Sequence, residues 1–290
     1  MNYVFMTDAS CDLTQKQVSE IGVRVLPMEF EIDDKCYQHY PDCRMMSLEE
    51  FYGILKEGKM PKTTQINYLH FKNYFEAYLK AGKDIVYTGI STGLSGTFDT
   101  CMIAVKELEE EYPKRKIVVL DSRCDSAGLG LLVYMAGKKY KEGASMNELV
   151  KYITDTRDNI AHWFVVDDLD QLKRGGRISA VSATFGKALQ IKPLISCDEV
   201  GKLVNVGKIR GKSNVIPSLV KHVERDAINP KKSIAFVAHA DNPSGAKELR
   251  KAVKGMFKEV QICDIGPVIG AHVGSGMLAV VFPGKRNLNS

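Results

Sequence analysis

The stretch Ile85-Val86-Tyr87-Thr88-Gly89-Ile90-Ser91-Thr92-Gly93-Leu94-Ser95-Gly96-Thr97 decides the fold. An apolar, β-prone run passes into glycines and small hydroxyl residues, and an amphipathic helical pattern follows from Phe98 to Glu111. This is a strand, a tight turn and a helix. In such a turn glycines let the backbone approach a ligand, hydroxyls and unpaired N–H groups face outward, and the helix start favours negative charge. The stretch therefore suits a small anion, with Ser91, Thr92, Ser95 and Thr97 as candidate donors. Capping by Ser95 or Thr97, with glycines that merely make the turn, accounts for part of the same pattern. Four hydroxyls in seven residues exceed what a cap requires. No His, Asp or Glu lies between Ile85 and Phe98, so holding an anion is favoured over attack on a carbonyl unless a base comes from elsewhere in the fold.

Before this stretch, Tyr3 to Met6 reads as a strand ending in Thr7-Asp8-Ala9-Ser10-Cys11-Asp12-Leu13. A helix pattern follows from Thr14 to Ile21, the arrangement in which open α/β sheets place ligands. Asp8 and Ser10 are candidates to face a site, and Asp12 is expected to cap the helix. Val23 to Ile32 holds Pro27 and predicts an edge strand or irregular extension, and Lys35 to Arg44 predicts a loop. Ser47-Leu48-Glu49-Glu50 is a capping box opening a helix to about Lys56. Asn67 caps another from Tyr68 to Ala81, leaving Thr63 and Thr64 as loop donors in a strand-to-helix connection. Beyond the central stretch come a strand, Lys116 to Leu120, and helices Gly128 to Lys139 and Met146 to Thr156. Strand and helix alternate with polar connections at strand ends, which predicts a parallel sheet covered on both faces.

The pattern changes near Arg157 to Ile160, so the expected division is an N-terminal α/β domain over 1–159 and a C-terminal α/β domain over 160–290 with a mixed or antiparallel sheet. The second half has strands at Ala161 to Val166, Ile191 to Ser196, Leu203 to Ile209, Ser233 to Ala238, Val260 to Ile265 and Met277 to Phe282, with helices Asn214 to Glu224 and Ser244 to Val253. Lys173-Arg174-Gly175-Gly176-Arg177 sets two arginines around a glycine pair, a bend suited to aiming Arg174 or Arg177 at an anion, or equally a solvated loop. Gly266 to Gly276 reads as a close-packed turn presenting His272, whose imidazole can hydrogen-bond a carboxylate or phosphate or serve structure alone.

Composition narrows the function. At 290 residues, 44% of them hydrophobic, the chain is long enough for two domains with real cores. Its net charge of +5 is interspersed rather than blocked, which argues against nucleic-acid binding. Cys11, Cys36, Cys43, Cys101, Cys124, Cys197 and Cys263 lack the close spacing of zinc or redox sites, so reduced thiols and no structural metal are expected. The start of the chain lacks a signal-peptide pattern and no apolar run is long enough to span a bilayer, so the expectation is a cytoplasmic protein that is not an integral membrane protein.

Taken together, Thr7-Asp8 with Asp12-Leu13, Lys62-Thr63-Thr64-Gln65, Ser91 to Thr97, Asp167-Asp168-Leu169, Gly175-Gly176-Arg177-Ile178-Ser179, Lys192-Pro193, Arg210-Gly211-Lys212 and Ile265 to His272 resemble the DegV family of bacterial fatty-acid-binding proteins. Ile66 and Ser275 stand where the family usually has proline, and Thr92 replaces a serine while keeping its hydroxyl. The resemblance implies two α/β domains and a buried tunnel for a long-chain fatty acid, with no cofactor beyond that ligand. It implies a carboxylate held by Thr63 and by Ser91, Thr92 or Ser95, with His272, Arg174, Arg177 and Arg210 near the head group. It further implies that a separate fatty acid kinase phosphorylates the bound carboxylate for phospholipid synthesis, the arginines holding phosphate or docking the kinase. Transient contact with a membrane is compatible with such a carrier. The competing reading is a hydrolase or acyltransferase using Ser91 or Ser95 with His272 as base and Asp8 or Asp121 orienting it.

Overall fold

A computed structural model describes residues 1–167, 169–178 and 191–288. The chain begins with β1 (Tyr3–Asp8), a 3-10 turn, α1 (Gln15–Ile21) and β2 (Arg24–Leu26). A hairpin of β3 (Met28–Ile32) and β4 (Lys35–His39) leads to α2 (Leu48–Lys56), β5 (Lys62–Thr64) and α3 (Tyr68–Lys80). The central stretch forms β6 (Asp84–Gly89) and α4 (Thr97–Glu111), and is followed by β7 (Ile117–Asp121), α5 (Ser126–Lys141) and α6 (Met146–Arg157). Strands β1, β2, β6 and β7 form one wholly parallel sheet in the order β2-β1-β6-β7. All six residues of β1 are buried, as expected when helices cover both faces.

The remaining elements are β8 (Ile160–Val165), α7 (Asp170–Arg174), β9 (Ile191–Cys197), β10 (Leu203–Arg210), α8 (Val215–Asp226), β11 (Ile234–His239), α9 (Pro243–Val253), β12 (Glu259–Asp264), α10 (Pro267–Val273) and β13 (Leu278–Pro283). Their strands make a second, mixed sheet ordered β10-β9-β8-β13-β11-β12, in which only β11 and β12 pair in parallel. The fold is thus α/β with a parallel sheet and a separate mixed sheet. The period-two alternation of strands sorts the mixed sheet's side chains by face. Trp163, Val165, Val237, Val280 and Phe282 pack with Leu219, Val223 and Leu249 from α8 and α9, whereas Phe164, Phe236, Ala279 and Val281 join the large core shared with the parallel sheet.

Several local expectations are corrected. Residues 35–39, expected in a loop, form β4: Asp33 and Asp34 both adopt positive φ, making a two-residue hairpin turn, and Tyr37 stacks on Phe30 with ring centroids 5.4 Å apart. The acidic pair is a weaker hairpin signal than Asn-Gly. Pro27 separates β2 in the parallel sheet from β3, which heads a small antiparallel sheet ordered β4-β3-β5. Thr63 and Thr64 accordingly sit in a strand, Thr63 opposite Phe30, rather than in a strand-to-helix loop. Asp12 does not cap α1: Thr14 caps it in a capping box with Gln17, while Asp12 ends the preceding 3-10 turn, is buried and accepts hydrogen bonds from the Ser126 hydroxyl at 2.6 Å and the Gly266 N–H at 2.9 Å. Ser47 and Asn67 do cap α2 and α3, accepting from Glu50 and His70 N–H. His272 lies on a helix, α10, and not on a glycine turn.

Candidate functional site

The carboxyl ends of the parallel strands face the mixed sheet, and a largely apolar cavity lies between them. Ile90 and Leu94 line it from the loop after β6, Phe164, Ala279 and Val281 from the mixed sheet, and Val268, Ile269 and Val273 from α10. The lining residues Met277, Ala279 and Val281 alternate toward it over about 13 Å of β13 and its lead-in, at roughly 3.3 Å per residue.

A polar cluster interrupts this wall. Thr63, Ser95, Arg177 and His272 all line the cavity, drawn from β5, the β6–α4 loop, the segment after α7, and α10. Thr63 Oγ1 and His272 Nε2 are hydrogen-bonded at 2.8 Å. Burial, and secondarily the nearby Arg177 guanidinium, pushes the His272 imidazole down to about 4, so it is neutral at pH 7. Arg177 Nε donates to the Leu94 carbonyl at 3.1 Å, and its Nη1 donates to the Gly175 carbonyl, fastening the arginine to the glycine-rich loop. Ser95 and Thr97 hydroxyls pair at 2.9 Å, and Ser95 Oγ also accepts the Thr97 N–H at the start of α4.

A Cβ on Gly175 would fall 2.4 Å from His272 Nδ1, so glycine is what admits the imidazole, while Gly176 holds φ +71° to reverse the chain. Outside this wall lies an open basin lined by Met60, Lys62, Arg174 and Ala271. Thr63, Arg177 and His272 line the basin as well as the cavity, and so separate the two.

Other expected site residues are engaged elsewhere. Ser91 is fully buried and its Oγ accepts the Gly93 N–H at 3.0 Å. Thr92 is exposed and bonds Asp121 through both its hydroxyl, at 2.8 Å, and its N–H. Neither lines the cavity. Arg174 is exposed in the basin, and Arg210 is exposed at the end of β10, lining neither space. Asp8 is buried and accepts from Ser10, Tyr87 and the Ile90 N–H, tying β1 to β6. The pairings a serine triad needs are therefore not those seen among the described residues: His272 bonds Thr63, while Asp8 and Asp121 bond other groups. Asp168 and Ser179 of the quoted motifs lie outside the described residues. Reasoning from sequence missed Gln65, Asp125, Ser126 and His162 in the cavity wall, His162 because β8 reads as a plain buried strand.

Two α/β layers thus enclose an apolar hollow that ends in neutral donors and a guanidinium. The family model described as "Uncharacterised protein, DegV family" matches residues 3–285, and the chain belongs to the DegV family. A DegV domain-containing protein of Clostridium perfringens is 37% identical over 284 residues, 97% of each chain, and one from Streptococcus pyogenes is 31% identical over 99% of this chain and 100% of its own. Among solved structures, a DegV family protein of Thermus thermophilus described for its fatty acid binding superposes with a TM-score of 0.86 at 27% identity, covering 98% of this chain and 100% of that one. A fatty acid binding DegV family protein of Streptococcus agalactiae gives 0.84 at 27% identity over 99% and 100%. No helix of the described residues is long and apolar enough to cross a membrane.

Proposed function

We propose that this chain carries a long-chain fatty acid in the cavity and presents its carboxylate, through the Thr63–Arg177–His272 wall, to a separate fatty acid kinase in the cytoplasm for acyl-phosphate formation and phospholipid synthesis. The observation that supports this most directly is that one polar cluster lines both the apolar cavity and the outer basin. An acid with its tail inside leaves its head within reach of solvent at that wall. Each buried methylene contributes about 0.8 kcal/mol, so the tail supplies affinity and the head group sets orientation. Neutral Thr63, Ser95 and His272 hold a carboxylate with less desolvation cost than a fully buried opposing charge would carry.

Ser91 and Thr92 then shape the loop that carries Ser95. Arg174, together with Lys62 in the basin, meets the incoming phosphate or the kinase, and Arg210 belongs to the partner-facing surface. The chain works as a binding unit of two domains, 1–159 and 160–290, with catalysis in the partner. Denaturing extraction of purified protein followed by mass spectrometry tests the reading: a stoichiometric long-chain acid is expected. Protein free of acid that also fails to bind octadecanoic acid in solution would overturn it.

A further inference from the structure

Deep in the apolar cavity wall stands a polar side chain that the carboxylate site does not use. His162 of β8 lies opposite Val281 of β13, and both line the cavity on the same face as Phe164 and Ala279. Its side chain is 1% exposed. Nδ1 lies 2.5 Å from Asp125 Oδ1, whereas Nε2 is buried and has no hydrogen-bond partner. The ring is held in place: Ser196 Oγ donates to the His162 carbonyl at 2.7 Å, and a Cβ on Gly128 would fall 1.8 Å from Cε1, so α5 leaves room for the imidazole only because glycine stands there.

A buried ring nitrogen left unpaired carries a desolvation penalty, and an aliphatic residue would complete a hydrocarbon-binding wall without it. Asp125 fixes the orientation of the ring and accepts from Nδ1–H, which leaves Nε2 as an acceptor in the neutral ring and a donor in the charged one. A hydroxyl both donates and accepts, and so complements either state. We propose that the cavity is built for long-chain acids bearing a hydroxyl within the tail, with that hydroxyl on His162 Nε2. His162 bonds Asp125 and none of Thr63, Ser95, Arg177 or His272, so with the head group at that cluster and the tail laid along the β13 face of Met277, Ala279 and Val281, the oxygen belongs in the body of the chain and not beside the carboxylate.

This inference rests on the fatty-acid reading, and its test separates the two. Displacement of a fluorescent fatty acid is measured with octadecanoic acid and with hydroxyoctadecanoic acids carrying the hydroxyl at successive positions. The expected result is a preference of about tenfold for one or two adjacent mid-chain isomers over octadecanoic acid, the scale of one well-made buried hydrogen bond. His162→Leu should bind octadecanoic acid as well as or better than the wild type and lose the preference. Octadecanoic acid binding with no isomer preference in the wild type, or a preference that survives His162→Leu, overturns the hydroxyl proposal and leaves the fatty-acid reading intact. Failure of every acid to bind overturns both. The isomer series on the unaltered chain decides the matter even if the variant does not fold.

Discussion

Thr63 Oγ1 and His272 Nε2 meet at 2.8 Å across 209 positions of sequence. The contact joins a three-residue strand of the small antiparallel sheet to a helix packed against that sheet, α2 and α7, and it places a hydroxyl and a neutral imidazole side by side at the inner edge of the basin. Neither residue is exceptional in its own segment. Their proximity makes a site.

If Thr63 and Ser95 hold the carboxylate, removing both hydroxyls weakens binding without touching the tail. Thr63→Ala with Ser95→Ala should raise Kd for octadecanoic acid about tenfold or more, at roughly 1 kcal/mol or more per hydrogen bond to a charged group, while Thr63→Ser stays near wild type. Fluorescent fatty-acid displacement measures it. Unchanged affinity in the double variant would place the head group elsewhere.

His272 titrates at about 4 because burial and Arg177 disfavour its charged form. A carboxylate arriving beside it favours that form and raises the value. Binding near pH 6 should therefore take up protons, and affinity should strengthen as pH falls from 7 toward 5. Calorimetry in buffers of differing ionisation enthalpy reads the uptake directly, and His272→Gln should abolish it. Uptake that persists in the variant would assign the linkage to another group.

The parallel sheet was legible because β6, its glycine turn and α4 are consecutive, and strand-then-helix alternation needs only local pattern. The site was legible in part for the same reason: Ser95 sits on that turn. Thr63 and His272 were legible as residue types but not as neighbours, since their contact depends on how β5 packs against α10. His162 left almost no trace. A single histidine in a buried run looks like any half-polar core residue until the strand opposite and Asp125 are seen. Asp12 misled for a physical reason: an aspartate just ahead of a helix suits a cap, yet Thr14 two residues later satisfies α1 better with Gln17, freeing Asp12 for Ser126 and Gly266.

Buried Asp12 makes stability depend on pH in a definable window. Burial pushes its carboxyl up to about 8, so the fold favours the protonated form and its contribution is lost as pH rises toward 8. His39, His222 and His272 are pushed down to about 4 from an ordinary value near 6.5, so stability rises while the unfolded chain's histidines, half-charged at pH 6.5, lose their protons. Asp12 opposes this gain between pH 6.5 and 8, lowering stability by up to about 2 kcal/mol at about 1.4 kcal/mol per pH unit. Urea unfolding of the wild type and Asp12→Asn at pH 6.5 and 8 isolates its share: the variant should gain stability relative to the wild type over that range, and an unchanged difference would exclude Asp12.

Ala279 offers a test of where the tail runs. Its methyl lines the cavity on β13 between Met277 and Val281, and the residue is 3% exposed. Ala279→Phe fills space there with a ring that a long tail would otherwise occupy. Two or three methylenes displaced at about 0.8 kcal/mol each correspond to roughly a ten- to hundredfold loss of affinity for octadecanoic acid. A short acid whose tail stops before Ala279 should bind the variant and the wild type alike. Thermal denaturation separates this from general damage, because overpacking lowers Tm whatever the ligand, whereas the tail argument requires a loss that grows with chain length. If the variant binds short and long acids with an equal penalty, the tail does not pass Ala279, and the path along β13 from Met277 toward His162 is wrong.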